Sequence, residues 1–245
     1  MTEFIPYRKL IQVEEKDCDS AGRMKASSII YYLQEAASAH AEALDVGISR
    51  LQGMGALWVV TRMALQTERL PEKGEKVYMV TWPGKTRHLL FPRYYAVENE
   101  RGERLAGGAG VWMLIHPESR KMLFPEEIGL AVPDMSRGDE MALPDRRVRF
   151  PAELDGCAWH EADESELDVN GHVNNVHYLR WAESLLPADF AGTHRLRSVW
   201  VEYRKEILVG QRVELRHELE DGALFVQGFV NGEEHYRLRF EYQTV

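Results

Sequence analysis

The feature that most constrains this chain is that it repeats itself. DSAGRMKAS from Asp19 and DVNGHVNNV from Asp168 share their Asp and Gly 149 positions apart, and a helix-like pattern follows each. LWVVTR from Leu57 matches VWVEYR from Val199, which sets Trp58 against Trp200 and Arg62 against Arg204 at a spacing of 142. GEKV from Gly74 then meets GQRV from Gly210 at a spacing of 136. The matches keep their order while the spacing shrinks, as loop deletions in a second copy would produce, so a duplicated unit is expected.

Each unit reads as a strand, a D-x-x-G turn, a helix and then several strands with apolar alternation, an α+β plan. In the first unit Ile29, Ile30, Leu33, Ala36, Ala37 and Ala41 recur at helical spacing and predict a helix over 26–44, with Gly47 as its stop. Strands are predicted over 56–68, 77–82, 89–98 and 104–115. In the second unit the helix starts near Asn174 or Asn175, turns Tyr178, Leu179, Ala182, Leu185 and Leu186 inward, and ends at Pro187. Strands follow from about Ser198, Arg212, Ala223 and Glu234. Residues 117–149 are rich in Pro, Met and charge without sustained periodicity and read as a linker, leaving 1–116 and 150–245 as the two units. The glycines of LAGGAGVWML fall inside a predicted strand, where close backbone approach or a bulge is expected rather than a nucleotide loop.

The composition, 44% hydrophobic and 28% charged over 245 residues, is that of a soluble globular protein. There is no apolar run of about 18 residues, and MTEFIPYRKL lacks the pattern of a secretory leader, so a cytoplasmic protein is expected. Cys18 and Cys157 are far apart and form no CxxC pair, which predicts free thiols. A net charge of −9 argues against nucleic acid as the main partner, because phosphate binding needs a cationic face.

The densest group of short polar side chains is LDVNGHVNNVHYLRWAE, from Leu167. Asn174 and Asn175 suit a helix N-cap, and Gly171 permits a turn with positive φ. Those roles leave Asp168, Asn170 and His172 unexplained. Alternating positions in an extended lead-in point the same way, so the three can converge in front of a helix N-terminus that favours negative charge. A carboxylate, an amide and an imidazole placed there suit a reaction in which a carbonyl becomes an oxyanion. A calcium loop would need its glycine later, and His172 and His177 are five apart, off the i, i+4 register of a helical zinc pair. No G-x-S-x-G elbow is present. Neither a metal nor another cofactor is expected.

DVNGHVNNVHYLRWAE resembles the hotdog thioesterase signature D-x-x-G-H-V-N-N-x-x-Y with a glutamate downstream. Together with WVVTRM from Trp58 and VEYRKE from Val201, it is similar to the acyl-acyl carrier protein thioesterase family. The resemblance spans both halves. It implies a tandem, double hotdog, each unit a long helix wrapped by a curved antiparallel sheet, with one active site in the C-terminal half. It implies catalytic roles for Asp168, Asn170, His172 and Glu206. It also implies a thioester hydrolase of fatty acid biosynthesis with an acyl carrier protein as partner, and it admits a homodimer. Plastid members often carry a cysteine after that glutamate, once proposed as a nucleophile; here the position is Ile207.

Three further expectations follow. The first copy has Ala21 where the second has Asn170 and Arg23 where it has His172, and the tryptophan match sets Ala64 opposite Glu206, so the first copy has lost the chemistry. Its helix and sheet are then free to form the acyl pocket, with Ile29, Ile30, Leu33, Ala37, Trp58 and Val60 as lining. Because the chain is acidic overall, an acidic carrier would need a local basic patch. Lys85, Arg87, His88 and Arg93 are the first candidates, having fewer acids nearby in sequence than Arg146, Arg147 and Arg149. An acyl-coenzyme A hydrolase, a non-catalytic acyl-binding hotdog protein and, more weakly, a hotdog dehydratase are the competing readings.

Overall fold

The computed structural model describes residues 6–136, 140–145, 147–168 and 170–245. The first half contains β1 (Tyr7–Gln12), α1 (Ala26–Ala43), α2 (Ile48–Gln52), β2 (Leu57–Thr67), β3 (Lys76–Pro83), β4 (Phe91–Asn99) and β5 (Arg104–Ile115). The second contains β6 (Gly156–Glu161), α3 (Asn175–Glu183), α4 (Phe190–Thr193), β7 (His194–Tyr203), β8 (Arg212–Glu220), β9 (Ala223–Val230) and β10 (Glu233–Thr244). The strands form one ten-stranded antiparallel sheet in the order β1-β3-β4-β5-β2-β7-β10-β9-β8-β6. Replacing each strand by its counterpart reverses that order, which is what a duplicated unit joined edge to edge through β2 and β7 must give. This is the expected double hotdog.

The pairing also fixes which residues are equivalent, and here one sequence match fails. The two middle strands carry one bulge each, skipping residue 61 in β2 and residue 197 in β7, 136 positions apart. The β2–β7 ladder runs from Arg62↔Glu202 to Gln66↔Ser198 and is centred on Ala64↔Trp200, again 136 apart. Trp200 is therefore the counterpart of Ala64, and the match of Trp58 to Trp200 is a coincidence of sequence. On the corrected register the counterpart of Glu206 is Leu70, not Ala64. The offset falls from 149 to 136 at one place, between helix and middle strand.

That deletion falls on the helices. α1 runs for 18 residues and α3 for nine. α3 closes at Ser184, before Pro187, whose ring excludes the preceding residue from helical dihedrals; Leu185 and Leu186 pack against the core just past the helix end. α1 is ended by Asp45 at φ 54, with Val46 N–H bonded to the Ala41 carbonyl, whereas the predicted stop, Gly47, caps α2 instead. β4 starts two residues later than predicted because Arg87 and Leu90 close a tight turn with His88 at φ 55. β7 begins earlier, at His194, directly after α4. At Gly108 a Cβ would collide with the Ala64 carbonyl, so this glycine of β5 serves close backbone approach.

Both helices bury one face on the sheet. Ile29, Ile30 and Leu33 of α1 join Met79, Val97 and Ala106, while Val176 and Leu179 of α3 join Val201, Val226 and Leu238 in the same core. Each such side chain contributes about 1.5–3 kcal/mol by leaving water. The helices also hold each other. The first turn of α1 has no side-chain cap of its own, and the Glu183 carboxylate accepts from Ser27 N at 3.0 Å and Ser27 Oγ at 2.5 Å. Burial pushes the Glu183 carboxyl up against the opposing pull of those hydrogen bonds.

Candidate active site

The polar stretch of the second half is a turn built by one carboxylate. Asp168 Oδ1 accepts from Asn170 N at 2.8 Å and His172 N at 3.2 Å, and Asp168 N donates to the His172 carbonyl at 2.7 Å. Gly171 supplies φ 78. The first half makes the same turn: Asp19 Oδ1 accepts from Ala21 N at 2.9 Å and Arg23 N at 3.0 Å, and Gly22 sits at φ 77. A second carboxylate repeats as well. Glu166 accepts from Asp163 N, Trp181 Nε1 at 2.8 Å and lies 2.9 Å from His160 Nε2; Asp17 accepts from Glu14 N and the Tyr32 hydroxyl. These acids build the helix entry in both halves, Asp168 through Oδ1, while its Oδ2 keeps only a 3.5 Å contact to Asn170 Nδ2.

What differs between the halves lies at the turn's tip. In the second half, His172 Nε2 stands 3.4 Å from Glu206 Oε2. Glu206 comes from the loop after β7, which is pinned by Val173 N to the Ile207 carbonyl at 2.9 Å and by His235 Nδ1 against the Glu206 carbonyl at 2.9 Å. Its other oxygen, Oε1, is paired with Arg120 of the first half's exit turn. Asn174 caps α3 by accepting from Val176 N at 3.0 Å. Asn175 N–H makes no hydrogen bond to any described residue. In the first half Arg23 replaces the histidine and turns away, donating to the Ala191 carbonyl and, at 2.8 Å, to the His194 carbonyl.

These groups open onto a cavity of about 480 Å³. Asp168, Asn170, His172, Asn175 and Glu206 form one part of its wall; α1 supplies Ala37, Ser38 and Ala41, and the sheet supplies Trp58, Val60, Phe91 and Trp112. The four predicted polar residues are thus brought together with Ala37, Trp58 and Val60. Three predicted lining residues are not. Ile29, Ile30 and Leu33 are at most 1% exposed and pack in the core, one to two turns before Ala37 along α1. Arg93 is a second correction: it is only 8% exposed, so it cannot present charge to a carrier. It lies on the inner face of β4 beside His40 Nδ1 at 3.4 Å and Thr81 Oγ1 at 3.3 Å, and it lines the cavity. Burial, with Arg93 adding to it, pushes the His40 imidazole down to about 4, so the ring is neutral and accepts from the guanidinium.

Lys85, Arg87 and His88 are exposed on the β3–β4 turn. Their surroundings are less free of acid than the sequence suggests, because the linker folds back onto the turn. Met135 N bonds the Pro83 carbonyl, Lys85 N bonds Ser136 Oγ, and Asp134 comes within electrostatic reach of Lys85. Arg147 and Arg149 are also exposed, whereas Arg146 lies outside the described residues. Arg120 was missed by sequence reasoning. It sits in PESRK, one basic residue among many, and only the turn after β5 carries it across to the other half.

The first half's turn closes on a smaller counterpart cavity of about 250 Å³ walled mostly by the second half, with Asp19 in place of Asp168, Leu70 in place of Glu206 and Tyr242 in place of Trp112. Phe190 lines it and packs on His194 and Tyr242 at ring separations of 4.1 and 4.9 Å. Among the described residues no group of His, Cys, Asp and Glu could hold a metal, and no helix is long and apolar enough to cross a membrane.

Comparison with known proteins agrees with this architecture. The acyl-ACP thioesterase N-terminal domain model matches residues 6–128 and the C-terminal domain model residues 161–244. A chloroplastic palmitoyl-acyl carrier protein thioesterase of Gossypium hirsutum is 31% identical over 192 residues, covering 73% of this chain and 46% of that protein. One from Arabidopsis thaliana is 26% identical, covering 82% and 52%. The chain therefore spans about half the length of these relatives. Among solved structures, an acyl-ACP thioesterase from Bacteroides thetaiotaomicron aligns with a TM-score of 0.82 at 24% identity over 96% of this chain and 97% of that one. The 12:0-ACP thioesterase from Umbellularia californica aligns at 0.83 with 21% identity, covering 98% of both. With both domain models matched in order, and the same double hotdog in those structures, this chain belongs to the acyl-ACP thioesterase family.

Proposed function

We propose that this protein hydrolyses the thioester of an acyl group carried on acyl carrier protein, releasing the free fatty acid and the carrier thiol. The observation that carries the reading is the His172–Glu206 pair at the wall of an apolar cavity large enough for an alkyl chain. A thioester carbonyl is less resonance-stabilised than that of an oxygen ester, so activated water and oxyanion stabilisation suffice without a covalent intermediate.

The acyl chain lies between α1 and the sheet, against Ala37, Trp58 and Val60, with the carbonyl at the polar wall. His172 takes a proton from water as the water oxygen bonds to the carbonyl carbon. Glu206 faces Nε2 of the ring, orienting it and balancing the imidazolium that forms, as a carboxylate does in other His-based hydrolytic sites. Asn170 and the N–H of Asn175, at the positive end of α3, receive the oxyanion. When the tetrahedral species collapses, the C–S bond breaks, the carrier thiolate takes the proton from imidazolium, and the acid is left in the cavity. Asp168 holds the turn. The carrier docks through Lys85 and Arg87 on the turn that follows Pro83, a residue of the cavity wall, and the reaction is read as cytoplasmic.

The test is release of free acid from a panel of acyl-carrier-protein and acyl-coenzyme A thioesters of matched chain lengths. The reading expects turnover with a higher kcat/KM on the carrier-bound substrate at every length. Equal or better turnover of the coenzyme A thioesters would make the carrier incidental, and binding without turnover would make this an acyl-binding protein. Charge reversal of Lys85 and Arg87 is expected to lower kcat/KM on the carrier substrate alone, and the effect should fade towards 1 M salt as the Debye length falls to about 3 Å.

A further inference from the structure

Within its own half Glu206 is held mainly by its backbone, its side chain meeting only His172 there. The loop's main chain is fixed through Ile207, Arg204 and Lys205, the last two donating to the His235 carbonyl at 2.9 and 3.0 Å. The carboxylate itself has two partners, His172 on Oε2 and Arg120 on Oε1. Arg120 is set by a closed turn: its N–H donates to the His116 carbonyl at 3.0 Å, His116 N donates to the Lys121 carbonyl at 2.8 Å, and the His116 ring accepts from Glu118 N and Ser119 N at 3.2 and 3.3 Å. Arg120 adopts φ 56, a left-handed conformation that a long side chain rarely takes without a reason in its surroundings. Arg120–Glu206 is an ion pair that ties the turn leaving β5 to the second half.

We propose that Arg120 is a positioning residue for the hydrolytic site: it holds one oxygen of Glu206 so that the other faces His172. This rests on the reading of Glu206 and His172 given above. Without the guanidinium, the two terminal torsions of a partly exposed glutamate are restrained by a single contact of 3.4 Å. The ring it orients would then sample several directions relative to the attacked carbonyl, and misplacement of about 1 Å in such a group is enough to cost on the order of 10²-fold in rate. A site whose catalytic turn and carboxylate both come from the second half would depend for its alignment on a cation of the first.

A double-mutant cycle on the full chain separates this role from others. With a short acyl-pantetheine thioester, Arg120→Met is expected to lower kcat by on the order of 10- to 100-fold with KM little changed. Arg120→Lys should recover part of the loss, and Arg120→Met should cost almost nothing further once Glu206→Gln is present. The His172 ring nitrogen signals, assigned by their loss in His172→Gln, should move in Arg120→Met in the direction they move in Glu206→Gln. Equal losses in both Glu206 backgrounds would overturn the proposal and mean that Arg120 acts on the substrate directly. A loss confined to the carrier-bound substrate would overturn it in favour of a docking charge. If the wild-type protein hydrolyses no thioester, the proposed function fails, while the His172 signals still decide the positioning role: unmoved signals in both Arg120 variants would refute it.

Discussion

The two halves have one plan and two outcomes. Both build a helix entry from an Asp that accepts two backbone N–H groups, both bury a second carboxylate beneath it, and both open a cavity between helix, turn and sheet. In the polar set they part at three side chains, and the helices part in length. Asn170, His172 and Glu206 stand where the first half has Ala21, Arg23 and Leu70, and α1 is twice as long as α3. The long helix gives the first half wall enough for a larger cavity, and the turn that closes on that cavity belongs to the second half. The polar set and the apolar wall of the larger cavity therefore come from different copies. What repeats is scaffold, and what differs is the set of polar side chains to which the proposed reaction is assigned.

The strongest way to break this comparison is to make the halves chemically alike. Placing Ala21→Asn, Arg23→His and Leu70→Glu together in a His172→Ala background should restore no turnover, leaving a deficit on the order of 10²-fold or more. The smaller cavity is lined by Phe190 and by only the end residues of the two helices, Ala26 and Glu183. Recovery of release in such a variant would show that the polar set alone, not the asymmetry of the helices, decides where the reaction occurs.

Next in size is the contrast between Leu33 and Ala37 on one helix. Leu33→Ala should lower the unfolding free energy by about 3 kcal/mol in denaturant titration and leave chain-length preference unchanged, since that side chain faces the core. Ala37→Leu should instead shift preference towards shorter acyl chains, each excluded methylene forfeiting about 0.8 kcal/mol. A shift in preference from Leu33→Ala would extend the cavity along α1 by a turn towards its N-terminus.

A smaller effect concerns acid. His40 is kept neutral by burial and by Arg93, so its folded pKa of about 4 lies below the ordinary 6.5. As pH falls below about 6.5 the unfolded chain binds the proton first, so stability is full above that pH and declines until pH about 4. About 2 kcal/mol of loss is expected after allowance for solvent screening. His177 and His235, also lowered by burial, add in the same direction. His40→Gln should flatten part of the decline in melting temperature between those pH values; an unchanged slope would mean that other groups carry it.

Much of this was legible in the chain. The D-x-x-G turns, the α1 helix and strand β5 could be read because turn chemistry and apolar periodicity are local properties. The polar residues at the site shared a short stretch, with Glu206 found by resemblance alone. What could not be read depends on contacts between distant segments. The true register of the duplication is set by two bulges and a strand pairing, which a chance match of tryptophans outweighed in the sequence. Ile30 and Ala37 have the same helical pattern, and only the sheet opposite decides that one meets core and the other meets cavity. Arg93 looks like a surface cation beside Lys85 and Arg87 until β4 turns it inward. Arg120 has no signal at all before the halves are joined.

The central claim is that one copy of the turn does the chemistry and its twin only builds structure. The direct measurement is kcat/KM for release of free acid from one acyl-acyl carrier protein by His172→Ala and Arg23→Ala, each checked for an unchanged melting profile. The account predicts a loss on the order of 10²-fold or more for His172→Ala and near wild-type release for Arg23→Ala. Comparable losses from the two variants, with both still folded, would contradict it.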